Sequence, residues 1–247
     1  MRSSIKQYYK KFYKGSKRNC LDIIKAKIEA EENCFVITAN PEILMMGKKI
    51  PEMDAALMSK ETLLVPDGIG VIKGGKQFGI RFEERIPGVE ICEELLKYAD
   101  ITRKSIYLFG AKREVVEALV SRVRTEYKGI ILKGYSDGYA DSKDEVFQEI
   151  INLEPDIVLV ALGTPQQELL IQKYFPSINK GIYIGVGGSF DVLSGQKQRA
   201  PSFFIRHNLE WLYRIAKEPK RIKRFWDSNV KFLFEVRKES HGSRKSV

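Results

Sequence analysis

The sequence predicts an α/β fold, a doubly wound, Rossmann-like and mostly parallel sheet followed by a C-terminal helical appendage. Short apolar runs rich in β-branched residues alternate along the chain with segments of helical period, and this alternation is typical of βα units around a parallel sheet. It stops after Ala200, where two helical segments follow, each opening with a proline that a first helical turn tolerates. We therefore divide the chain into an α/β domain at 1–200 and an appendage at 201–247.

These runs place the individual elements. The predicted strands are Cys34–Thr38, Thr62–Val65, Ser105–Phe109, Gly129–Lys133, Asp156–Ala161 and Gly181–Val186. The predicted helices between them are Pro51–Ser59, Gly70–Gln77, Val89–Tyr98, Lys112–Tyr127, Ser142–Leu153 and Pro165–Tyr174. In the appendage we expect helices at Pro201–Glu218 and Pro219–Glu239.

Length and composition indicate a globular protein with one main domain. The chain has 247 residues, of which 43% are apolar and 30% charged, enough to bury a core. Its three cysteines are too few and too scattered for a disulfide framework, which favours a reducing cytoplasm. No apolar run approaches the ~18 residues that span a bilayer, and the basic start lacks the apolar core of a signal peptide. We therefore expect a cytoplasmic protein with, at most, peripheral membrane contact.

The positive charge of the chain is concentrated at its two ends. Residues 1–18 hold seven bases and no acid, and residues 197–247 hold fourteen bases against five acids, which leaves 21 bases and 27 acids between them. The body is therefore acidic although the whole chain has a net charge of +10. This distribution predicts an anionic partner for the ends, except that we interpret the charge after Ser240 as solubilising.

The second appendage helix has the pattern of a basic amphipathic helix, with Arg221 and Arg224 beside its apolar stripe. The stripe consists of Ile222, Phe225, Trp226, Phe232, Leu233 and Val236. We interpret Trp211 and Leu212 as packing against the body. The aromatic residues that suit an interfacial helix on anionic lipid are Tyr213, Phe225, Trp226 and Phe232. The same amphipathic pattern is compatible with self-association into a homo-oligomer. We expect no binding of nucleic acid, because no nucleic-acid-binding motif accompanies these basic and aromatic residues.

Small polar clusters end several predicted strands, as in TAN at 38–40, PDG at 66–68 and VGGSFD at 186–191. In open α/β sheets ligands bind beyond the carboxyl ends of the strands, so we expect the site there. Asp67 ends one such strand, where its carboxylate is either part of a turn or a general base toward a hydroxyl group. Spacing alone favours the turn.

Other motifs at the strand ends exclude some kinds of site. The run IGVGGSF at 184–190 lacks the full dinucleotide fingerprint, which leaves a phosphate or nucleotide loop with Asp191 as an acceptor for ribose or uracil. Thr164 is a candidate helix N-cap, and the amide of Gln167 is the functional candidate of that segment. We expect no metal and no cofactor, because the chain has no Asp-x-Asp pair and its two histidines lie outside the body.

Seven motifs in order resemble the WecG/TagA/CpsF glycosyltransferase family over roughly residues 34–225. They are TANPEIL at 38–44, PDGIGV at 66–71, ERIPG at 84–88, LGTPQQE at 162–168, VGGSFD at 186–191, GQKQRAP at 195–201 and LEWLYRIAKEPKR at 209–221. The resemblance implies a metal-independent, inverting enzyme at the cytoplasmic face of the bacterial membrane. Such enzymes move a sugar from a UDP donor to an amino sugar on a polyprenyl diphosphate. TagA-like members transfer N-acetylmannosamine to GlcNAc-diphospho-undecaprenol, in β-1,4 linkage, for wall teichoic acid.

The resemblance also implies roles for particular residues. Asp67 is implied to be the base, with Thr38 and Asn40 in the same pocket and Arg85 as a phosphate or sugar contact. Four residues are implied to surround the nucleotide sugar: Gln167, Gly187, Gly188 and Asp191. Three arginines of the appendage are implied to close over the site and engage diphosphate: Arg214, Arg221 and Arg224.

Two alternatives remain open. Within the family, the donor is the uronic acid form of N-acetylmannosamine or another UDP-sugar, for a different surface polysaccharide. From another class, the chain is a nucleic-acid or membrane-binding module on a catalytically silent scaffold. The chain departs from the family at residues 1–18, which hold no initial strand, and at Gln166 and Glu90, where lysine and aspartate are common.

Overall fold

Six parallel strands form one sheet in the part of the chain that this computed structural model describes, residues 2–219 and 221–242. The side chains of Arg214, Arg221, Arg224 and Phe225 lie outside the described part. The strands are β1 (Asn33–Ala39), β2 (Thr62–Pro66), β3 (Ser105–Gly110), β4 (Ile131–Ser136), β5 (Ile157–Ala161) and β6 (Gly181–Gly185). Their spatial order is β2-β1-β6-β5-β3-β4. The predicted α/β fold is confirmed, and only β4 starts two residues later than predicted, because Gly129 lies in a turn in which its N–H donates to Asp100 Oδ1.

Helices cover both faces of this sheet. In chain order they are α1 (Ile5–Lys11), α2 (Lys17–Glu29), α3 (Pro41–Gly47), α4 (Pro51–Met58), α5 (Ile69–Gln77), α6 (Gly88–Thr102), α7 (Arg113–Glu126), α8 (Lys143–Leu153), α9 (Gln166–Tyr174), α10 (Ser189–Leu193), α11 (Ser202–Arg206), α12 (Glu210–Lys217) and α13 (Arg221–Gly242). The predicted helices of the body correspond to α4 to α9. The sequence reading missed α1, α2, α3 and α10, and the first predicted appendage helix is divided into α11 and α12 by a turn at His207 and Asn208.

The sheet separates two apolar layers. Along β1, Cys34 and Val36 point into the layer covered by α2, α6, α7 and α10, whereas Phe35 and Ile37 point into the other. That second layer is covered by α1, α3, α4, α5, α8, α9 and α13. Alternate side chains of a strand point to opposite faces, so a fully buried strand of this kind reads as a continuous apolar run.

The basic N-terminal segment is part of the core. Helix α1 is capped by Ser4, whose Oγ accepts from Gln7 N at 3.2 Å, and it buries Tyr8 and Tyr9 completely. Each tyrosine hydroxyl finds a partner, Asp54 Oδ1 at 2.8 Å for Tyr8 and Val71 O at 2.7 Å for Tyr9. A buried tyrosine requires such a partner, and both partners come from segments distant in sequence. The aromatic content of residues 1–18 therefore serves packing.

The second half of α13 also packs into the core. Phe232 is 0% exposed and lies against Gly74 of α5, where a Cβ would approach its ring to 3.2 Å. Val236 is likewise buried, and Glu239 accepts hydrogen bonds from the backbone N–H groups of Ile5 and Lys6 at 3.0 and 2.9 Å. A carboxylate at a helix N-terminus stabilises that helix. The two ends of the described chain are thus joined.

The structure corrects three assignments in the appendage. Phe232, predicted for a lipid-facing surface, is buried in the core. Trp211 and Leu212, predicted to pack against the body, are 36% and 43% exposed. The physical reason for the correction at Phe232 is the phase of α13, because Phe232, Val236 and Ser240 face the body, whereas Ile222, Trp226 and Leu233 of the predicted stripe are exposed.

The packing of α13 predicts different free energies of unfolding for two variants of this helix. Phe232→Ala should lower the free energy of unfolding by about 3–5 kcal/mol, because it opens a cavity between α13 and α5. Phe234→Ala, at a side chain of the same helix that is 68% exposed, should change it by less than about 0.5 kcal/mol. Urea unfolding followed by circular dichroism measures both. Equal, small effects would mean that α13 does not pack on α5 in solution.

Candidate active site

We place the candidate site, called the crevice below, at the carboxyl ends of β1 and β6, which are neighbours in the sheet with Val36 opposite Ile184. After β1 the chain enters α3 and α4, which pack on one face, and after β6 it enters α10, which packs on the other. Ligands of open α/β sheets bind where the connections diverge in this way. The structure brings the described members of the predicted site to this edge of the sheet.

Thr38, Asn40 and Asp67 form one side of the crevice. Ala39 is opposite Pro66 in the pairing of β1 with β2, and Asp67 N donates to Ala39 O at 2.9 Å. Asn40 caps α3, because its Oδ1 accepts from Ile43 N at 3.0 Å. Thr38 is buried, and Asp67 and Asn40 are half-buried. This cap fixes the amide of Asn40 beside the strand end that carries Asp67.

Two glycines allow the close approach of backbone around these residues. Gly68 has φ +94°, a conformation that side chains other than glycine rarely adopt, and it turns the chain from Asp67 into α5. Gly88 begins α6 against Thr38, whose Oγ1 would lie 3.0 Å from a Cβ at position 88. Helix α6 therefore closes the crevice on the side of Thr38.

Arg85 lies in the loop before α6 and is engaged by the C-terminal segment. Its Nη2 is 3.4 Å from Oε2 of Glu210, the first residue of α12. Both side chains are largely buried. The loop itself is held to the strand end, since Ile86 N donates to Pro66 O at 2.9 Å. The ion pair therefore joins α12 to the rim of the crevice next to Asp67.

Gln167 connects the two strand-end loops of the other side. Its Oε1 accepts from Gly163 N at 3.1 Å, after β5, and from Gly187 N at 2.9 Å, after β6. The side chain is buried and lies directly on Gly185. The amide oxygen is thus used twice by the protein itself, and the predicted contact of Gln167 with the nucleotide sugar stays a prediction.

Glu168 fixes the orientation of that amide. Its carboxyl group is 1% exposed, and its Oε1 accepts from Gln167 Nε2 at 2.7 Å and from Thr164 Oγ1 at 3.3 Å. Thr164 therefore donates to Glu168. It does not cap α9, which is the role that the sequence predicted for it. Burial raises the pKa of Glu168 against the effect of these hydrogen bonds, and Glu42 raises it further. Oε2 has no hydrogen-bond partner among the described residues.

Gly187, Gly188 and Asp191 follow β6. Gly187 has φ +49°, and Gly188 precedes α10, in whose first turn Asp191 lies. Asp191 Oδ1 is 3.3 Å from Lys197 Nζ, which also lies 3.5 Å from Glu218 Oε1. These contacts place the predicted ribose or uracil acceptor beside a lysine of the segment that leads to the C-terminal helices.

The remaining predicted residues, Arg214, Arg221 and Arg224, have side chains outside the described part of the chain. In the described part, no group of three or more His, Cys, Asp or Glu side chains is arranged to hold a metal ion. The same part holds no helix whose length and apolarity would suffice to cross a bilayer.

Three charged groups near the site were not predicted to contribute to it: Glu168, Glu210 and the cluster around Glu90. Glu90 accepts from Lys17 Nζ at 2.7 Å and from Arg199 Nη2 at 2.6 Å. Burial opposes its ionisation, but these two cations outweigh burial and hold the pKa of Glu90 below its usual range. The helical spacing of Gln167, Glu168 and Ile171, all buried, was a signal for Glu168. No local sequence pattern indicates the ion pair of Glu210 with Arg85 or the contacts of Glu90 with Lys17 and Arg199.

Comparisons with known proteins agree with these motifs. The family model described as Glycosyl transferase WecG/TagA/CpsF family matches residues 8–246. The chain is 40% identical over 218 residues to the N-acetylglucosaminyldiphosphoundecaprenol N-acetyl-beta-D-mannosaminyltransferase of Bacillus spizizenii, covering 88% of this chain and 84% of that protein. The transferase of the same name from Bacillus subtilis is 40% identical over 89% of this chain and 85% of its own length. That from Staphylococcus aureus is 33% identical over 88% and 85%.

The buried carboxyl of Glu168 predicts a pH dependence of stability. Because its pKa is raised in the folded state, the native protein keeps this proton to a higher pH than the unfolded chain does. The associated stability is complete below about pH 4.3, the usual glutamate pKa, and is lost as pH rises through the folded-state value. Urea unfolding between pH 4.5 and 8 should therefore show the free energy of unfolding of Glu168→Gln rising relative to that of the natural protein as pH rises, by about 1.4 kcal/mol for each tenfold difference in proton affinity between the folded and unfolded states.

Glu145→Gln is the matched control for this experiment, because Glu145 is exposed on α8. It should keep the pH dependence of the natural protein. A constant difference between Glu168→Gln and the natural protein at every pH would contradict the raised pKa.

Proposed function

This chain belongs to the WecG/TagA/CpsF family of glycosyltransferases, and from that premise we propose that it transfers N-acetylmannosamine from UDP-N-acetylmannosamine to GlcNAc-diphospho-undecaprenol. The product linkage is β-1,4, as in the linkage unit of wall teichoic acid. Relatives at 33–40% identity that carry the corresponding name support this assignment. The observation that carries it is the position of these residues at neighbouring strand ends. Thr38 and Asn40 lie at the end of β1, Asp67 follows β2, and the glycine loop follows β6, and both β2 and β6 pair with β1.

The proposed reaction is a single displacement with inversion. The Asp67 carboxylate takes the proton of the acceptor hydroxyl, whose oxygen forms the new bond to C1 of the donor sugar. The bond from C1 to the β-phosphate oxygen breaks, and UDP leaves with that electron pair. A carboxylate within reach of the hydroxyl contributes as a general base. Asn40, held by its cap on α3, and buried Thr38 position the sugar at Asp67.

Charge at the crevice favours an uncharged donor sugar over its uronic acid. A C6 carboxylate requires a cationic partner in a site of low dielectric. The two described cations of the crevice, Arg85 and Lys197, are already paired with Glu210 and with Asp191 and Glu218. We assign stabilisation of the leaving diphosphate to Arg214, Arg221 and Arg224, without a metal ion.

We further propose peripheral binding at the inner face of the cell membrane, where the acceptor lipid resides. Exposed apolar side chains are concentrated on the C-terminal helices, among them Phe203, Trp211, Ile222, Trp226 and Phe234. The exposed bases Lys217 and Lys223 accompany them. Aromatic side chains beside lysine suit the interface of an anionic bilayer.

Asp67→Asn should lower kcat about 10²–10⁴-fold, because an amide cannot take up the proton of the acceptor's hydroxyl group. Release of UDP is measured with UDP-N-acetylmannosamine and a short-chain GlcNAc-diphospholipid. Asp22→Asn, at an exposed position of α2, should retain full activity, and a chelator should not reduce it. Undiminished transfer by a folded Asp67→Asn protein would remove Asp67 from the mechanism. An inactive natural protein would reject the assigned substrates.

Trp226→Ala should weaken binding to vesicles that contain phosphatidylglycerol about tenfold, because the side chain, 65% exposed in solution, is buried at the interface at a gain of roughly 1.5 kcal/mol. Ile101→Ala removes an exposed apolar group from α6 and should leave vesicle binding unchanged. Co-sedimentation measures both. Equal binding of the natural protein and both variants would contradict the membrane surface proposed for α13.

A further inference from the structure

The loops after β5 and β6 are joined by a single side-chain amide. Gln167 Oε1 accepts from the N–H groups of Gly163 and Gly187. The side chain lies directly on β6, since a Cβ on Gly185 would be 2.7 Å from Gln167 Nε2. A Cβ on Gly163 would have no described atom within 4 Å, and one on Gly187 would have only Gln167 Oε1, at 3.9 Å. Apart from this amide, the two glycines therefore border open space in which a ligand has room.

Glu168 decides which end of the amide faces the loops. The two glycine N–H groups require an oxygen at that end, so Gln167 Nε2 points the other way, into the interior. Its acceptor there, within the described part of the chain, is Glu168 Oε1 at 2.7 Å. A buried donor without an acceptor is costly. If Glu168 were lost, the amide would regain an acceptor only by leaving β6, and Gly163 and Gly187 would then lose theirs.

Packing does not explain a glutamate at position 168. The residue is 1% exposed, burial raises the pKa of its carboxyl group, and Oε2 has no described partner. An apolar side chain would avoid these costs, because replacing a buried charged group by an apolar one is often neutral or stabilising. The second donor to this carboxyl, the half-buried Thr164 Oγ1, is further away at 3.3 Å. What the carboxyl group adds at this position is therefore the acceptor for Gln167.

We propose that Glu168 is a positioning residue for the donor nucleotide sugar. It touches neither the sugar nor the diphosphate. It acts through Gln167, whose amide holds the loops after β5 and β6 in the arrangement that binds the UDP part of the donor. The inference rests on the proposed function for the identity of the donor, and it makes donor affinity depend on a group buried beneath the crevice.

Binding of UDP in the absence of acceptor tests this role. Glu168→Leu removes the acceptor of Gln167 Nε2 and should raise the Kd of UDP about tenfold, which corresponds to the loss of roughly one hydrogen bond. Glu168→Gln keeps a carbonyl oxygen that can accept from Nε2, and it should bind UDP like the natural protein. Isothermal titration calorimetry measures both values.

Hydrogen exchange shows whether the two loops respond as proposed. The amide protons of Gly163 and Gly187 are bound to Gln167 Oε1. They should exchange about tenfold faster in Glu168→Leu than in Glu168→Gln or the natural protein. The amide of Val186 is the internal reference, because it donates to Val160 O at 2.8 Å and not to Gln167, and its rate should stay the same. NMR of the ¹⁵N-labelled protein measures all three.

Glu145→Leu is the matched control, because it makes the same substitution at an exposed position of α8. It should bind UDP like the natural protein. Unfolding midpoints establish that each variant is folded, and Glu168→Met, whose flexible side chain fits the same space, replaces Glu168→Leu if that protein does not fold. A folded Glu168→Leu or Glu168→Met protein with the natural Kd overturns the proposal. So does a Glu168→Gln protein that binds UDP equally weakly, or exchange that is accelerated equally at Val186.

Steady-state kinetics separates this inference from the proposed function. Glu168→Leu should raise KM for UDP-N-acetylmannosamine about tenfold and leave kcat and KM for the GlcNAc-diphospholipid unchanged, because it weakens binding of the donor and not the chemical step. UDP binding that depends on Glu168, in a protein that transfers no sugar, would reject the proposed function and keep the role of Glu168. Transfer with the same donor KM in Glu168→Leu and the natural protein would do the reverse. A natural protein that binds no UDP would reject both.

Discussion

The pairing of β1 with β6 is the constraint on which the site depends. The two strands are far apart in the chain and adjacent in the sheet, with Phe35 opposite Tyr183 and Val36 opposite Ile184. Both are buried on two faces, so a shift of register by one residue would exchange their apolar layers. Since the chain leaves β1 toward one face and β6 toward the other, the ends of these strands cannot be covered by their own connections. The crevice follows from the topology, before any catalytic side chain is considered.

The second constraint is the packing of α1 and α13, from the two ends of the chain, on α5, the helix that follows Asp67. Helix α5 has glycines at positions 70 and 74, where Pro41 and Tyr9 approach more closely than a Cβ would allow, and Asn229 and Phe232 lie in close contact. Helices α1 and α13 therefore pack on it together, and Glu239 of α13 accepts from the N-terminus of α1. Part of the C-terminal positive charge is carried by a helix whose other face is core. A deletion that starts at Pro201 would remove core side chains as well as arginines, so single substitutions are the better probe of α13.

The sequence was sufficient for the sheet, because strands buried on both faces read as apolar runs whatever their neighbours are. It was also sufficient for α3 in principle, since Asn40 followed by Pro41 has the form of an N-cap and first turn. It was insufficient for α1, because the burial of Tyr8 and Tyr9 depends on Asp54 and Val71 O, which no local pattern indicates. The phase of α13 has the same origin. Phe232 and Phe234 differ only in which side meets α5, and that side is decided by tertiary contacts.

Glu168 shows why a costly group persists at the edge of the crevice. A buried carboxyl with an oxygen that no described group satisfies opposes folding. The same carboxyl accepts from Gln167 Nε2, and this leaves Gln167 Oε1 toward the N–H groups of Gly163 and Gly187. A flipped amide would place donor against donor at both glycines. The loops after β5 and β6 would then lose their common acceptor, and the glycine loop after β6 would no longer be fixed relative to β1. Burial of the Glu168 carboxyl thus lowers the stability of the fold, and its hydrogen bond to Gln167 fixes the geometry of the crevice.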